Sequence, residues 1–240
     1  MNVELKKYRK EYEHSYSFGV FPTLELLHFQ PESVIRVIAA SRGVRNEGVL
    51  KLAGECHKRN IAYEVNDKVL ERLVPKENIY AVGIFRKYSC PLNEQASHVL
   101  LVNPSDMGNL GTIIRTMLGF GVGNLGIVRP ATDLFDPKVI RASMGALFKL
   151  SFEYFDSFTN YQSRFPHQLY PFMTDGKAAL DKTSFTAPFT LIFGNESAGL
   201  PEEYRSLGTS VSIQHSQQID SLNLPIAVGV ALYEATKGNF

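Results

Sequence analysis

Cysteine is scarce in this 240-residue chain: Cys56 and Cys90 are the only two. Two thiols cannot build a disulfide framework or a four-thiolate zinc site. The six histidines, His14, His28, His57, His98, His167 and His215, show no metal-ligand spacing, so no metal is expected. No apolar run approaches the length that spans a bilayer, so no membrane partner is expected. The start, Met1 to Lys7, is charged and has no apolar stretch behind it. A signal peptide is therefore not expected, and the expected compartment is the cytoplasm. A large charge of one sign is also missing: 25 Lys+Arg face 24 Asp+Glu, a net charge of +1. That excludes a protein that grips nucleic acid by bulk electrostatics alone, and no DNA partner is expected. Repeats and low-complexity tracts are absent as well.

What is present is an ordinary globular composition, 44% hydrophobic, in a chain long enough for one large domain or two small ones. Residues 86–97 lack periodicity, carry Pro91 and stand before a clean apolar run, His98 to Val102. The expected organisation is a first domain over 1–88, a linker over 89–97 and a second domain over 98–240. In the first part a helix start at Thr23 to Leu27, strands at 34–40, 61–65 and 79–84, and a helix over 48–60 make a small α/β unit. In the second, strands are expected near 98–102, 125–128, 149–153, 168–173, 188–193 and 210–213. Helical patterns lie near 108–120, 137–147, 157–165, 201–207 and 222–237. Asp136-Pro137 is a good helix start, a carboxylate acceptor followed by a residue with no N–H to satisfy. The fold class is α/β with a mostly parallel sheet.

One motif is a decoy. Gly121-Val122-Gly123-Asn124-Leu125-Gly126 fits G-x-G-x-x-G, but a dinucleotide site needs a strand before the glycines and a helix after them. Here a helix precedes and a strand follows, so the run is a glycine-rich helix exit, and a nucleotide-dependent oxidoreductase is set aside.

Three other segments carry chemistry. In 103–120, Leu110, Ile113, Ile114, Met117 and Leu118 form a core stripe. Gly108, Thr112, Arg115 and Gly119 lie on another face, small except for one arginine. That face is either a plain surface or a place where a backbone or ligand comes close to the arginine. Glycine in a helix costs about 1 kcal/mol relative to alanine, which argues for a reason. In 191–201 an apolar strand runs into Gly194-Asn195-Glu196-Ser197-Ala198-Gly199, at what should be a carboxyl edge of the sheet, where open α/β sheets bind ligands. In 211–230 a short strand and a polar loop lead to Ser221-Leu222-Asn223 and a helix, whose free N–H groups offer an anion site or whose Ser221 is a plain cap.

Taken in order and at these spacings, the segments resemble the three motifs of the SpoU/TrmH family of the SPOUT class, RNA ribose 2′-O-methyltransferases. Asn109-x-Gly111-x-x-x-Arg115 resembles the first, Gly194-Asn195-Glu196-x-x-Gly199-Leu200 the second, and Ser221-Leu222-Asn223 the third. The resemblance covers about residues 98–238. Gly19-x-x-Pro22-Thr23-Leu24-Glu25-Leu26-Leu27 is similar to part of the ribosomal-protein-like substrate-binding domain that often precedes this domain.

The resemblance implies a C-terminal domain with a trefoil knot that holds S-adenosylmethionine and releases S-adenosylhomocysteine, with no metal. It implies a homodimer in which each site is completed across the interface. The substrate would be structured RNA, ribosomal RNA first and transfer RNA as the alternative, or the fold would serve a non-catalytic RNA- or ribosome-binding protein. It places Gly194, Asn195, Gly199, Ile213 and Leu222 at the cofactor. It gives Arg115, Asn109, Glu196, Ser221 and Asn223 the catalytic roles. A guanidinium stays protonated, so Arg115 is expected to hold a phosphate and stabilise a developing alkoxide rather than act as a base. The chain departs from the family pattern in having Gln214-His215 where Pro-Met is common, Ala198 where arginine is frequent, and Pro225 early in the last helix.

Overall fold

The computed structural model describes residues 5–73 and 79–238. Met1 to Glu4 of the charged start therefore lie outside the described residues. The chain divides into two compact units, residues 1–88 with 133–149, and residues 89–132 with 150–240.

The first unit is built on a four-stranded sheet. Its elements are β1 (His14–Phe18), α1 (Val20–Phe29), β2 (Val34–Ala39), α2 (Glu47–Lys58), β3 (Ala62–Val65), α3 (Asp67–Leu73) and β4 (Ala81–Arg86). The strand order is β1-β4-β2-β3, antiparallel at β1–β4 and β4–β2 and parallel at β2–β3. Alternation along a strand sends neighbours to opposite faces. Accordingly Ile38 joins one buried cluster, with Tyr16, Leu70 and Val82, while Val37 joins another with Leu27, Leu52 and Cys56. Asn46 caps α2 through its side-chain oxygen, which accepts from the N–H groups of Gly48 and Val49.

The segment 133–149 completes this unit, and here the expected unbroken second domain is corrected. It holds α5 (Pro137–Ala142), which packs on β1, and a 3-10 turn, Ala146–Lys149, which packs on α1. Asp136 caps α5 by accepting from the N–H of Lys138, with Pro137 in the first turn, as its sequence implies. The helix expected to run to 147 stops at 142, because Met144 and Gly145 adopt positive φ of 54° and 79°. A Cβ on Gly145 would lie 2.9 Å from Glu25 Cβ and 3.0 Å from Pro22 Cα, so glycine permits the close approach to α1.

The second unit holds a five-stranded sheet in the order β7-β6-β5-β10-β8, all parallel. Its strands are β5 (His98–Val102), β6 (Asn124–Val128), β7 (Ser151–Phe155), β8 (Gln168–Pro171) and β10 (Phe189–Phe193). Two short strands, β9 (Ala178–Ala179) and β11 (Val211–Ser212), pair separately. The helices are α4 (Met107–Gly119), α6 (Phe158–Gln162) and α7 (Leu224–Thr236). Strands buried on both faces read as apolar runs, and all five residues of β5, β6 and β10 are buried. The Gly121-rich run is a helix exit, with φ of 72° at Gly121 and β6 beginning at Asn124.

Local shifts from expectation are small. The strand expected at 149–153 runs over Ser151–Phe155, and 201–207 is a 3-10 turn, Glu202–Ser206, rather than an α-helix. The expected linker 89–97 belongs to the second unit and is fastened there. The N–H of Phe152 donates to the Cys90 carbonyl, and the N–H of Asn93 donates to the Asn124 side chain at 2.9 Å.

Candidate functional site

The sheet order reverses between β5 and β10, neighbours in the sheet whose sequential partners lie on opposite sides. Ligands of parallel α/β sheets bind in the crevice at the carboxyl ends of the strands beside such a reversal. The loop after β10 does line a cavity, of about 360 Å³. Residues 172–174, 193–199, 211, 213, 215, 220–222, 224 and 227 form its wall. Phe172 and Phe193 stack there, ring centres 4.6 Å apart and planes within 15°.

The loop is held in shape by its own small residues. The N–H of Asn195 donates to the Gly199 carbonyl at 3.2 Å and the N–H of Gly199 donates back at 2.9 Å. A Cβ on Gly194 would stand 2.0 Å from the Gly199 carbonyl carbon, so only glycine fits. Gly199 takes φ of 68°, the left-handed region open to glycine. The side-chain oxygen of Asn195 accepts from the N–H groups of Ser197 and Ala198, at 2.9 and 3.2 Å, an Asx turn that closes the loop.

Glu196 turns toward the segment between β5 and α4. Its carboxylate accepts from the N–H and hydroxyl of Ser105, at 3.2 and 2.8 Å, and from the N–H of Asp106 at 3.1 Å. Partial burial pushes this carboxyl up. Hydrogen bonds from its own N–H, the Ser105 hydroxyl and the two loop N–H groups outweigh that and hold it below the ordinary range. A carboxylate at the start of α4 also suits the positive end of the helix dipole. Asp106 caps α4, its carboxylate accepting from the N–H of Asn109 at 2.7 Å.

The cavity thus brings together Gly194, Asn195, Gly199, Ile213 and Leu222 with Glu196 and Ser221. Asn109, Arg115 and Asn223 are not in its wall. Asn109 and Arg115 lie on α4, where Leu110, Ile113, Ile114 and Met117 are buried and Gly108, Thr112, Arg115 and Gly119 are exposed. Asn223 is the first flanking residue of α7 and makes no side-chain cap; its carbonyl accepts from the N–H groups of Ile226 and Ala227, both at 3.0 Å. Pro225 sits in the first turn of α7, where it is harmless. His215 is a loop residue in the cavity wall, its Nδ1–H donating to the Ile213 carbonyl at 2.7 Å. The motifs did not reveal the contribution of residues 172–174, which follow β8. The position of β8 beside β10 places its carboxyl end at the same crevice, but that pairing is a long-range fact. Among the described residues no group of three or more His, Cys, Asp or Glu could hold a metal ion.

A parallel sheet with a cofactor-sized crevice at its reversal, lined by the second and third of these motifs with the first on the neighbouring helix, is the architecture of an RNA methylase. The chain belongs to the SpoU rRNA methylase family, whose model matches residues 96–233. A tRNA/rRNA methyltransferase of Synechocystis, itself uncharacterised, is 30% identical over 78% of this chain and 69% of its own length. The 23S rRNA (uridine(2479)-2′-O)-methyltransferase of Streptomyces viridochromogenes is 33% identical over 61% of this chain, which spans 54% of that relative. Among solved structures, the AdoMet-bound rRNA methyltransferase of Sinorhizobium meliloti superposes with a TM-score of 0.78 at 28% identity, over 92% of this chain and 86% of that one. The SpoU methyltransferase AviRb of S. viridochromogenes, in complex with AdoMet, gives 0.79 at 25% identity, over 95% and 91%.

Proposed function

We propose that this protein transfers the methyl group of S-adenosylmethionine to a ribose 2′-hydroxyl of ribosomal RNA. The observation that carries the reading is the cavity at the end of β10, where the second and third motifs converge beside the cap of the arginine-bearing helix. Its volume of about 360 Å³ falls within the range of roughly 300–1,000 Å³ usual for small-molecule sites. The stacked Phe172 and Phe193, Ile213 and Leu222 give an apolar bed for a purine, and Asp220, Ser221 and the loop backbone supply polar groups. Those residues fit the cofactor, which when bound supplies an electrophilic methyl on a sulfonium.

The chain's own groups bind and orient the RNA. Arg115, exposed on α4, holds a phosphate and stabilises charge developing on the 2′-oxygen. Ser221 receives a phosphate or the hydroxyl, and Asn109 and Asn223 orient the nucleotide. The cavity wall contains Glu196 and Asp220 but neither lysine nor arginine. The cation for RNA at that cavity is therefore Arg115 of the partner subunit in a homodimer. Ile226, Val230 and Tyr233 recur at helical spacing on α7 and are 56%, 39% and 61% exposed, an apolar stripe suited to that contact. The close backbone approaches at Gly176, Gly194 and Gly208 support a tightly threaded C-terminal part, the trefoil knot. Residues 1–88 with 133–149 form the unit that selects the RNA, by shape and exposed nucleotide.

The test is transfer of labelled methyl from S-adenosylmethionine to bulk ribosomal and transfer RNA, with nuclease mapping, for wild type and Arg115→Ala. Ribose label on ribosomal RNA, reduced at least about 100-fold in the variant, is the expected outcome. Label on transfer RNA changes the substrate, and cofactor binding without label on any RNA favours a non-catalytic binder.

A further inference from the structure

Ser105 stands where two functional segments meet. On one side is the cavity loop, residues 194–199. On the other is α4, which carries Asn109 and Arg115. The two are cross-linked by a dense set of hydrogen bonds that meet at the Glu196 carboxylate and the Ser105 hydroxyl. Ser105 Oγ donates to Glu196 at 2.8 Å and accepts from the Asn195 amide at 3.2 Å. The Ser105 and Asp106 N–H groups reach the two oxygens of the same Glu196 carboxylate. The Asn195 amide also donates to the Asn103 carbonyl at 2.9 Å. One residue later Asp106 caps α4 through the Asn109 N–H. From cavity wall to helix cap there is no slack element: each step is a hydrogen bond to a backbone group or to a short side chain.

We infer that Ser105 is a positioning residue, a latch that makes the cavity loop and α4 move as one body, so that filling the cavity sets Asn109 and Arg115 for RNA. This rests on the reading of the cavity as the cofactor site. The latch is selective in its chemistry. The hydroxyl serves Glu196 and Asn195 at once, as donor to one and acceptor to the other, and a methyl group can do neither. Removing it leaves the two backbone contacts to Glu196, so the loop keeps its fold while its coupling to α4 weakens. Thr132 holds the other side of the segment, its hydroxyl donating to the Ser105 carbonyl at 2.7 Å and its N–H to the Pro104 carbonyl at 3.0 Å. Ser105 therefore keeps its place in the Ala variant, and what changes is the link.

The experiment is amide hydrogen exchange on the full chain, with and without S-adenosylhomocysteine, for wild type, Ser105→Ala and Ser105→Thr. The ligand is expected to slow exchange over 194–199 in all three, and over 109–112 at the start of α4 in wild type and Ser105→Thr. In Ser105→Ala, which loses both contacts of the hydroxyl, the slowing over 109–112 falls by at least about fivefold, the worth of one ordinary hydrogen bond. In steady-state assays Ser105→Ala lowers kcat by about the same factor with ligand affinity within about twofold of wild type, and Ser105→Thr restores kcat. Slowing over 194–199 without any over 109–112 in wild type overturns the latch and leaves the cofactor reading intact. A loss of ligand affinity as large as the loss of kcat also overturns it, since Ser105 would then only support the cavity wall. No slowing anywhere in wild type removes the cofactor reading and the latch with it.

Discussion

Gly194 is where one added carbon does the most damage. Its Cβ would fall 2.0 Å from the Gly199 carbonyl carbon, 2.1 Å from the oxygen and 2.3 Å from the Leu200 nitrogen. All three are backbone atoms, so no side chain can rotate away. Gly194→Ala is expected to cost about 1–3 kcal/mol of stability, as overpacking does, and to open the loop that walls the cavity. Affinity for S-adenosylhomocysteine by calorimetry should fall at least about tenfold, and a variant that binds as wild type does would show that the loop is not the cofactor wall. Residues of this kind are legible in a sequence because their chemistry is local: a strand that ends in Gly194-Asn195-Glu196 announces a tight polar turn. Ser105 and Asp106 lie in the segment 103–120, but the sequence assigns them no partner, since Glu196 lies 91 positions from Ser105. Nothing in a Ser-Asp pair says which carboxylate it will meet.

The α4 stripe was legible because it separates cleanly, apolar residues on one face and Gly108, Thr112, Arg115 and Gly119 on the other. The sequence of α7 is apolar nearly all round, so its periodicity does not say which residues face inward. Val228, Ala231 and Leu232 are buried, while Ile226, Val230 and Tyr233 are not. α7 packs on α4, where a Cβ on Gly229 would make ordinary contact with Thr116 at 3.5 Å, and Tyr233 meets Phe120 edge-on. The exposed stripe on the same helix is the element for which a second copy is proposed. Ile226→Glu with Tyr233→Glu should give a monomer by sedimentation at micromolar concentration, with unchanged circular dichroism. Methyl transfer should fall with dimer content, because Arg115 then has no partner cavity to serve. A wild type that sediments as a monomer removes this arrangement. β1, by contrast, escaped the sequence reading altogether. His14-Ser15-Tyr16-Ser17-Phe18 alternates as a half-buried strand does, with serines on what should be the wet face, yet Ser15 and Ser17 are as buried as Tyr16. The Ser15 hydroxyl is satisfied by the Phe135 carbonyl, from a segment 120 positions away.

The division of the chain follows the same logic at the largest scale. Segment 133–149 joins the first unit through contacts no local pattern encodes. The Lys87 ammonium lies 2.9 Å from the Asp133 carboxylate, Tyr8 donates to that carboxylate as well, and the Gln30 amide donates to the Phe148 carbonyl at 3.1 Å. In the second unit the stretch read as a linker is pinned by a buried polar group of two histidines. His98 is fully buried, its Nε2–H donating to the Asn93 carbonyl at 2.9 Å, which leaves Nδ1 to accept from the Tyr161 hydroxyl at 2.8 Å. His167 donates from Nε2 to the Glu94 carbonyl at 2.9 Å. Burial drives the His98 pKa down to about 4, against a hydrogen bond to Asn93 that raises it and with His167 adding to the fall. Unfolded, the same ring titrates near 6.5. Between those values the unfolded chain binds a proton that the folded one refuses, so stability must fall as pH drops through this window. From pH 7 to 5 the loss from His98 alone is about 2 kcal/mol, the slope rising toward 1.36 kcal/mol per pH unit as the unfolded ring protonates. Glu196, whose carboxyl is held below the ordinary range, keeps its contribution until more acid conditions, so it does not confuse the window. Urea unfolding at pH 7 and pH 5 should show the drop, and His98→Gln, less stable at pH 7, should show a smaller one. The His98 ring protons should not titrate above pH 5 in the folded protein; a ring midpoint near 6.5 by NMR would mean that the ring is solvated and that the segment it anchors is a linker after all.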